Sequence, residues 1–328
     1  MNSLEHIVGQ QRALRALKRA IETGRIAGAY LFGGPPGVGK CSTARALAGA
    51  LNCRRRPGVG CADGSRCGPC DKVARGIHPD LTVLEPEGQY IKIDQVRALH
   101  QQLIYPPHEG RHRLVVIDGA DRLNLNAANA LLKAVEEPRP DTLFVLVSSA
   151  AHKVIPTLLS RCQIVRFQPL TRDAVAEVVA RHSPAEQDLR ATAVAVAEGS
   201  PGRALRLLDS EQLAVARRIM ASLLETTSAP DATTVFRAAE EAGREREPVL
   251  DALELLRVWL RDLMLLHEGA DRGRLIHVDQ LPRLEEEARR SDRAAVLRRL
   301  RALQQAQAAL LGNANPRLTL EQLAFQLR

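Results

Sequence analysis

The stretch Ala29-Tyr30-Leu31-Phe32-Gly33-Gly34-Pro35-Pro36-Gly37-Val38-Gly39-Lys40 decides the fold. Ala29–Phe32 is a short apolar run of the kind that forms a buried strand. Gly34–Lys40 matches G-x-x-x-x-G-K, and a helical pattern follows to Leu51. In the order strand, glycine loop, helix, backbone N–H groups turn inward around phosphate oxygens, and the positive end of the helix lies behind them. Gly34, Pro35, Gly37, Val38, Gly39 and Lys40, with Cys41 and Ser42 at the start of the helix, are therefore candidate nucleotide-binding residues, and Lys40 reaches the β- and γ-phosphates.

Outward from this loop, Gln10–Glu22 places Leu14, Leu17 and Ile21 on one helical face. Downstream, Leu81–Leu84, Leu114–Ile117, Leu143–Val147 and Ile164–Phe167 read as strands. Between them, Ile91–Leu103, Ala127–Glu137 (stopped by Pro138) and Pro156–Leu159 read as helices. Continuous apolar strands alternating with helices predict an α/β domain, its parallel sheet covered on both faces. From Thr171 the strand signal vanishes. The pattern predicts an α/β domain over 1–168, a small all-α unit over 169–208 and an all-α domain over 209–328, with a long helix from Pro248 to about Leu266.

The length of 328 residues suits two or three domains. Aromatic residues make up only 3%, while Leu, Ala and Arg abound, which favours helices over an all-β fold. The formal charge is +8. A basic surface fits a polyanion such as DNA, and equally fits arginine-rich helices that only solubilise the chain. No apolar run suits secretion or spans a membrane, so a cytoplasmic protein with no membrane partner is expected.

Two positions around the loop lack the groups that hydrolysis requires. The residue after the loop lysine usually offers a hydroxyl to Mg²⁺, and here it is Cys41. Mg²⁺ prefers oxygen, so a thiol makes its placement doubtful. Ser42 lies about 100° further around the helix and cannot simply take over. Leu114–Ile117 delivers Asp118 to a strand end, where it would organise the metal. The next residue, which in an active ATPase of this type is a water-orienting Glu, is Gly119; Asp121 is expected to point elsewhere.

Cys53, Cys61, Cys67 and Cys70 follow as C-x7-C-x5-C-x2-C in a turn-rich segment, 53–70. Reduced cytosolic thiols so grouped suggest a closed, structural Zn²⁺ site rather than disulfides. Free surface cysteines and a redox C-x-x-C are the alternatives.

Several ordered motifs then carry a resemblance: Val8-Gly9-Gln10, the glycine loop, the cysteine segment, Ile91–Arg97, Asn129-Ala130-Leu131-Leu132-Lys133 with Glu136-Glu137-Pro138, Ser160-Arg161-Cys162, and Asn313-Ala314-Asn315-Pro316-Arg317-Leu318. The chain resembles the clamp-loader subunits of bacterial DNA polymerase III, of the AAA+ superfamily, and among them the delta-prime type. The resemblance implies that Val8 contacts adenine, that Ser148 and Ser149 sense the γ-phosphate, and that Arg161 reaches in trans into a neighbouring subunit's ATP site. The alternatives are serines that only cap the next turn and a surface arginine that pairs with a carboxylate. It also implies a lid and a C-terminal collar. The implied partners are the delta and gamma/tau subunits, the sliding clamp and primer–template DNA. The alternative within the family is the gamma/tau motor, which has Thr after the loop lysine, Glu after the strand aspartate, a G-S-x-R sensor and long C-terminal extensions. Here Gly202 stands at the sensor arginine, with Arg203 one position late, and the chain stops soon after the last motif. The cysteine spacing is longer than the family's usual pattern. Val249, Leu250, Leu253, Leu256 and Trp259 would serve either the collar interface or the domain's own core.

Overall fold

A computed structural model describes residues 3–61, 66–228, 246–277, 280–312 and 314–327. The strands are β1 (Ala29–Gly33), β2 (Leu81–Leu84), β3 (Arg113–Asp118), β4 (Thr142–Ser148) and β5 (Gln163–Arg166), paired in parallel in the order β2-β3-β4-β1-β5. Helices α1 (Gln11–Glu22), α2 (Lys40–Asn52), α3 (Gly68–Ala74), α4 (Ile93–Leu103), α5 (Leu125–Glu136) and α6 (Pro156–Leu159) connect or flank them. Every predicted strand is present, displaced by no more than a residue at either end.

The strands alternate between two cores, as the period of two requires. Tyr30, Phe32, Leu114, Val116 and Val145 pack with Leu17, Leu47 and Leu51 of α1 and α2. Leu31, Val115, Ile117, Phe144 and Leu146 pack with Leu99, Leu131, Val135 and Leu158 of α4, α5 and α6. Both faces are thus covered by helices; β1, β3 and β4 are buried along nearly their whole length, β2 is half-buried, and the edge strand β5 is exposed except at Val165. Because all strands run the same way, Gly33, Asp118 and Ser148 finish on one edge: Gly33 pairs with Ser148, and Asp118 with Val147. Ligands of open α/β sheets gather in this crevice at the carboxyl ends of the strands.

The chain divides into two compact units. One comprises Met1–Val178 with Gly199–Gly202; the other comprises Val179–Glu198 with Arg203–Arg328. Helix α8 (Gln187–Val196) and most of α9 (Pro201–Leu207) fall in the second unit, while α7 (Arg172–His182) runs across the division. The second unit also holds α10 (Ser210–Ser228), α11 (Arg246–His267), α12 (Leu281–Arg290), α13 (Arg293–Leu311) and α14 (Pro316–Gln326). Val249, Leu253, Leu256 and Trp259 of α11 are fully buried in this single chain, so they form its core. The exposed apolar side chains of the unit are elsewhere, at Leu297, Leu311, Leu318 and Phe325. Asn315 caps α14 by accepting from Leu318 N–H, ahead of Pro316. Asn313 of the same motif, and residues 62–65 of the cysteine segment, lie outside the described residues.

Candidate functional site

The glycine loop joins β1 to α2 as expected. Lys40 is buried, and burial lowers its pKa, although the charges of Asp118 and Asp121 oppose that. Its ammonium donates to the Gly34 carbonyl at 2.6 Å and to that of Pro35. Lys40 is therefore folded over its own loop, and a phosphate would have to replace these carbonyls. Val38 is buried; Val8 is half-buried; Pro35 and Gly37 are exposed.

Cys41 faces Asp118, and its thiol donates to the carboxylate Oδ2 at 2.9 Å. Burial first, then the Asp118 hydrogen bond and charge, push the thiol far above its ordinary pKa. It remains a neutral donor, aimed at the carboxylate that would hold Mg²⁺. Ser42 is exposed and makes no such contact.

Gly119 adopts φ 85°, the left-handed region. A Cβ there would come within 3.2 Å of Pro86. A water-orienting Glu at this position would thus need a strained backbone, so the missing acid is built into the turn. Asp121 does not point away from the site. Its Oδ1 accepts from Ser148 Oγ at 2.6 Å and from Ser149 N–H at 3.2 Å. Ser148 also accepts from Ala150 N–H at 3.0 Å, which closes the local turn.

Gly202, at the expected sensor-arginine position, lies against the loop. Its N–H donates to the Gly37 carbonyl at 2.9 Å, and a Cβ would meet Gly37 Cα at 2.9 Å. Ser200 Oγ donates to the Pro36 carbonyl at 3.0 Å. Arg203 takes a different direction, pairing with Glu254 of α11 at 2.7 Å within the second unit. On the other side, Gln10 donates to the carbonyls of Gln168 at 2.6 Å and Val38 at 3.3 Å. Gln10 belongs to the Val8-Gly9-Gln10 segment. The structure makes it the residue of that segment that touches the loop.

Arg161 follows α6. Its guanidinium reaches Glu136 Oε1 at 3.0 Å, the Thr157 carbonyl at 3.0 Å and Ser160 Oγ at 3.3 Å.

The sulfurs of Cys53, Cys61, Cys67 and Cys70 are all buried and lie within 4.8 Å of one another. Cys53 is 3.5 Å from Cys61 and 3.8 Å from Cys67. Metal–sulfur bonds of about 2.3 Å in a tetrahedron put sulfurs about 3.8 Å apart, so this set can hold a metal ion. Burial raises the Cys61 and Cys70 thiols, whereas at Cys67 the backbone N–H groups of Cys70 and Arg54 outweigh burial and bring the value to about 6. A thiolate is the form that binds metal.

Two family models match the chain. The one described as "DNA polymerase III, delta subunit" covers residues 9–171, and "DNA polymerase III, delta subunit, C terminal" covers residues 211–328. The DNA polymerase III subunit delta' of Bacillus subtilis is 29% identical over 97% of this chain and 96% of its own length. The chain belongs to the delta-prime family of DNA polymerase III subunits. A second delta-prime relative, from Pseudomonas aeruginosa, is 39% identical over 55% of each chain. The tau subunit of Escherichia coli is 30% identical over 90% of this chain but only 46% of its own length. Among solved structures, a gamma subunit-related protein of Thermotoga maritima aligns over 95% of this chain and 98% of its own, with a TM-score of 0.52 and 18% identity. That likeness shows the fold: a parallel α/β domain followed by helices.

Proposed function

We infer that this delta-prime family member helps load the sliding clamp onto primed DNA, within a ring containing delta and gamma/tau subunits. In this reading it hydrolyses little or no ATP itself and supplies Arg161 in trans to a neighbour's nucleotide. An arginine so placed stabilises charge on the transferring γ-phosphoryl group. The contact of the Cys41 thiol with Asp118 carries the reading, since it sets a neutral sulfur where a magnesium ligand belongs. The left-handed Gly119 removes the second requirement. ATP can still be held by the loop and Lys40, without well-placed Mg²⁺. The cysteine cluster suits a structural Zn²⁺ because all four positions are filled by protein thiols. The +8 charge favours contact with primer–template DNA, and a cytoplasmic location follows from that partner. Among the described residues no helix is long and apolar enough to cross a membrane.

The rival is a gamma/tau-type motor. It would need an acid in place of Gly119, and Asp121 further along the turn is engaged by Ser148 and Ser149. Steady-state ATP turnover separates the two. The purified chain should show none, and Arg161→Ala should impair hydrolysis by the reconstituted loader. Turnover by the isolated chain, or a fully active Arg161→Ala loader, would overturn the reading.

A further inference from the structure

Resting on the trans role of Arg161 inferred above, we propose that Glu136 is its positioning residue, holding the guanidinium in the orientation that meets a neighbour's phosphate. Glu136 is the last residue of α5. A carboxylate there faces the negative end of the helix dipole, where a cation is favoured, so Glu136 sits against the local electrostatic rule. Such departures from local rules concentrate at functional positions. Arg161 answers that charge from another element at 3.0 Å.

The remaining contacts orient the group further. One terminal nitrogen of Arg161 donates to the Thr157 carbonyl and to Ser160 Oγ, and the other to Glu136. The guanidinium is thus tethered on two sides, from α6 and from α5. A guanidinium carries five N–H donors, so these three bonds leave donors for an incoming anion. The arginine side chain is 35% exposed and Glu136 52% exposed, so the pair is reachable and its hold is weak. It restricts the rotamers of a long side chain without competing seriously with a phosphate. A pre-ordered guanidinium loses less freedom when the transition state forms.

The test measures ATP hydrolysis by the loader reconstituted from full-length subunits, with wild type, Glu136→Ala, Glu136→Gln, Arg161→Ala and the Glu136→Ala/Arg161→Ala double variant. Glu136→Ala should lower kcat about two- to five-fold, as expected for an exposed ion pair, with KM for ATP unchanged. Glu136→Gln keeps an acceptor oxygen and should recover part of the loss. In the Arg161→Ala background, Glu136→Ala should have no further effect, because its role passes through that arginine. A merely structural role would lower both backgrounds equally, and that result would overturn the proposal. So would a Glu136→Ala loader as active as wild type, or more active. If Arg161→Ala itself changes nothing, the trans reading fails and takes the proposal with it. If Arg161→Ala impairs the loader but Glu136→Ala does not, only the positioning role is lost.

Discussion

The thiol of Cys41 donates a hydrogen bond to Asp118 across the carboxyl edge of the sheet, at 2.9 Å. In an active site of this architecture the same two positions would share a magnesium ion between a hydroxyl and a carboxylate. Here they satisfy each other. Burial and the carboxylate keep the thiol protonated.

Replacing the sulfur should therefore change metal dependence before it changes chemistry. Cys41→Thr should make ATP binding measurably stronger in the presence of Mg²⁺ than in its absence, a difference that wild type should lack. Titration calorimetry with and without the metal checks this. Turnover should remain absent, because Gly119 is untouched.

Restoring the other missing groups should fail for backbone reasons. Gly119→Glu forces a side chain into the left-handed region beside Pro86. Gly202→Arg sets a Cβ 2.9 Å from Gly37 Cα. Each should lower stability by about 1–3 kcal/mol, measured by denaturant unfolding, and neither alone should confer ATP turnover.

The cysteine cluster should bind one zinc per chain, measured by elemental analysis of purified protein. Cys70→Ser, which changes a fully buried ligand, should release the metal and lower the melting temperature. A metal-free wild-type protein with an unchanged melting temperature would refute the assignment.

Asp80 offers a test by pH. It is completely buried, and burial raises its pKa, but backbone N–H groups of Glu109, His108 and Gly110 outweigh this and lower it below 3.8. A carboxyl depressed in the folded state stabilises fully above its unfolded value. That contribution is lost as pH falls through the folded value, so the window lies below about pH 4. Asp80→Asn should cost about 1–3 kcal/mol at pH 7, and the difference from wild type should shrink on acidification below that point.

The sheet was legible because its strands are short, mainly apolar runs and the covering helices repeat at their own period. Leu81–Leu84 needed only its four residues to be placed correctly. The two-unit division was not legible. The helices of residues 169–208 and those that follow have the same amphipathic pattern, and which of them pack together depends on contacts far apart in sequence.

The glycine loop, the thiol at position 41 and the absence of an acid at 119 are local facts, and residue order alone determined them. So was the grouping of Cys53, Cys61, Cys67 and Cys70, which needed only proximity along the chain. Tertiary structure decided the rest. It turned Asp121 toward Ser148, sent Arg203 to Glu254, laid Gly202 on Gly37 and set Glu136 against Arg161. Each of these pairs a residue with one that is distant in sequence or on another element. A side chain's partner is set by how strands and helices pack in space, and no local periodicity carries that information.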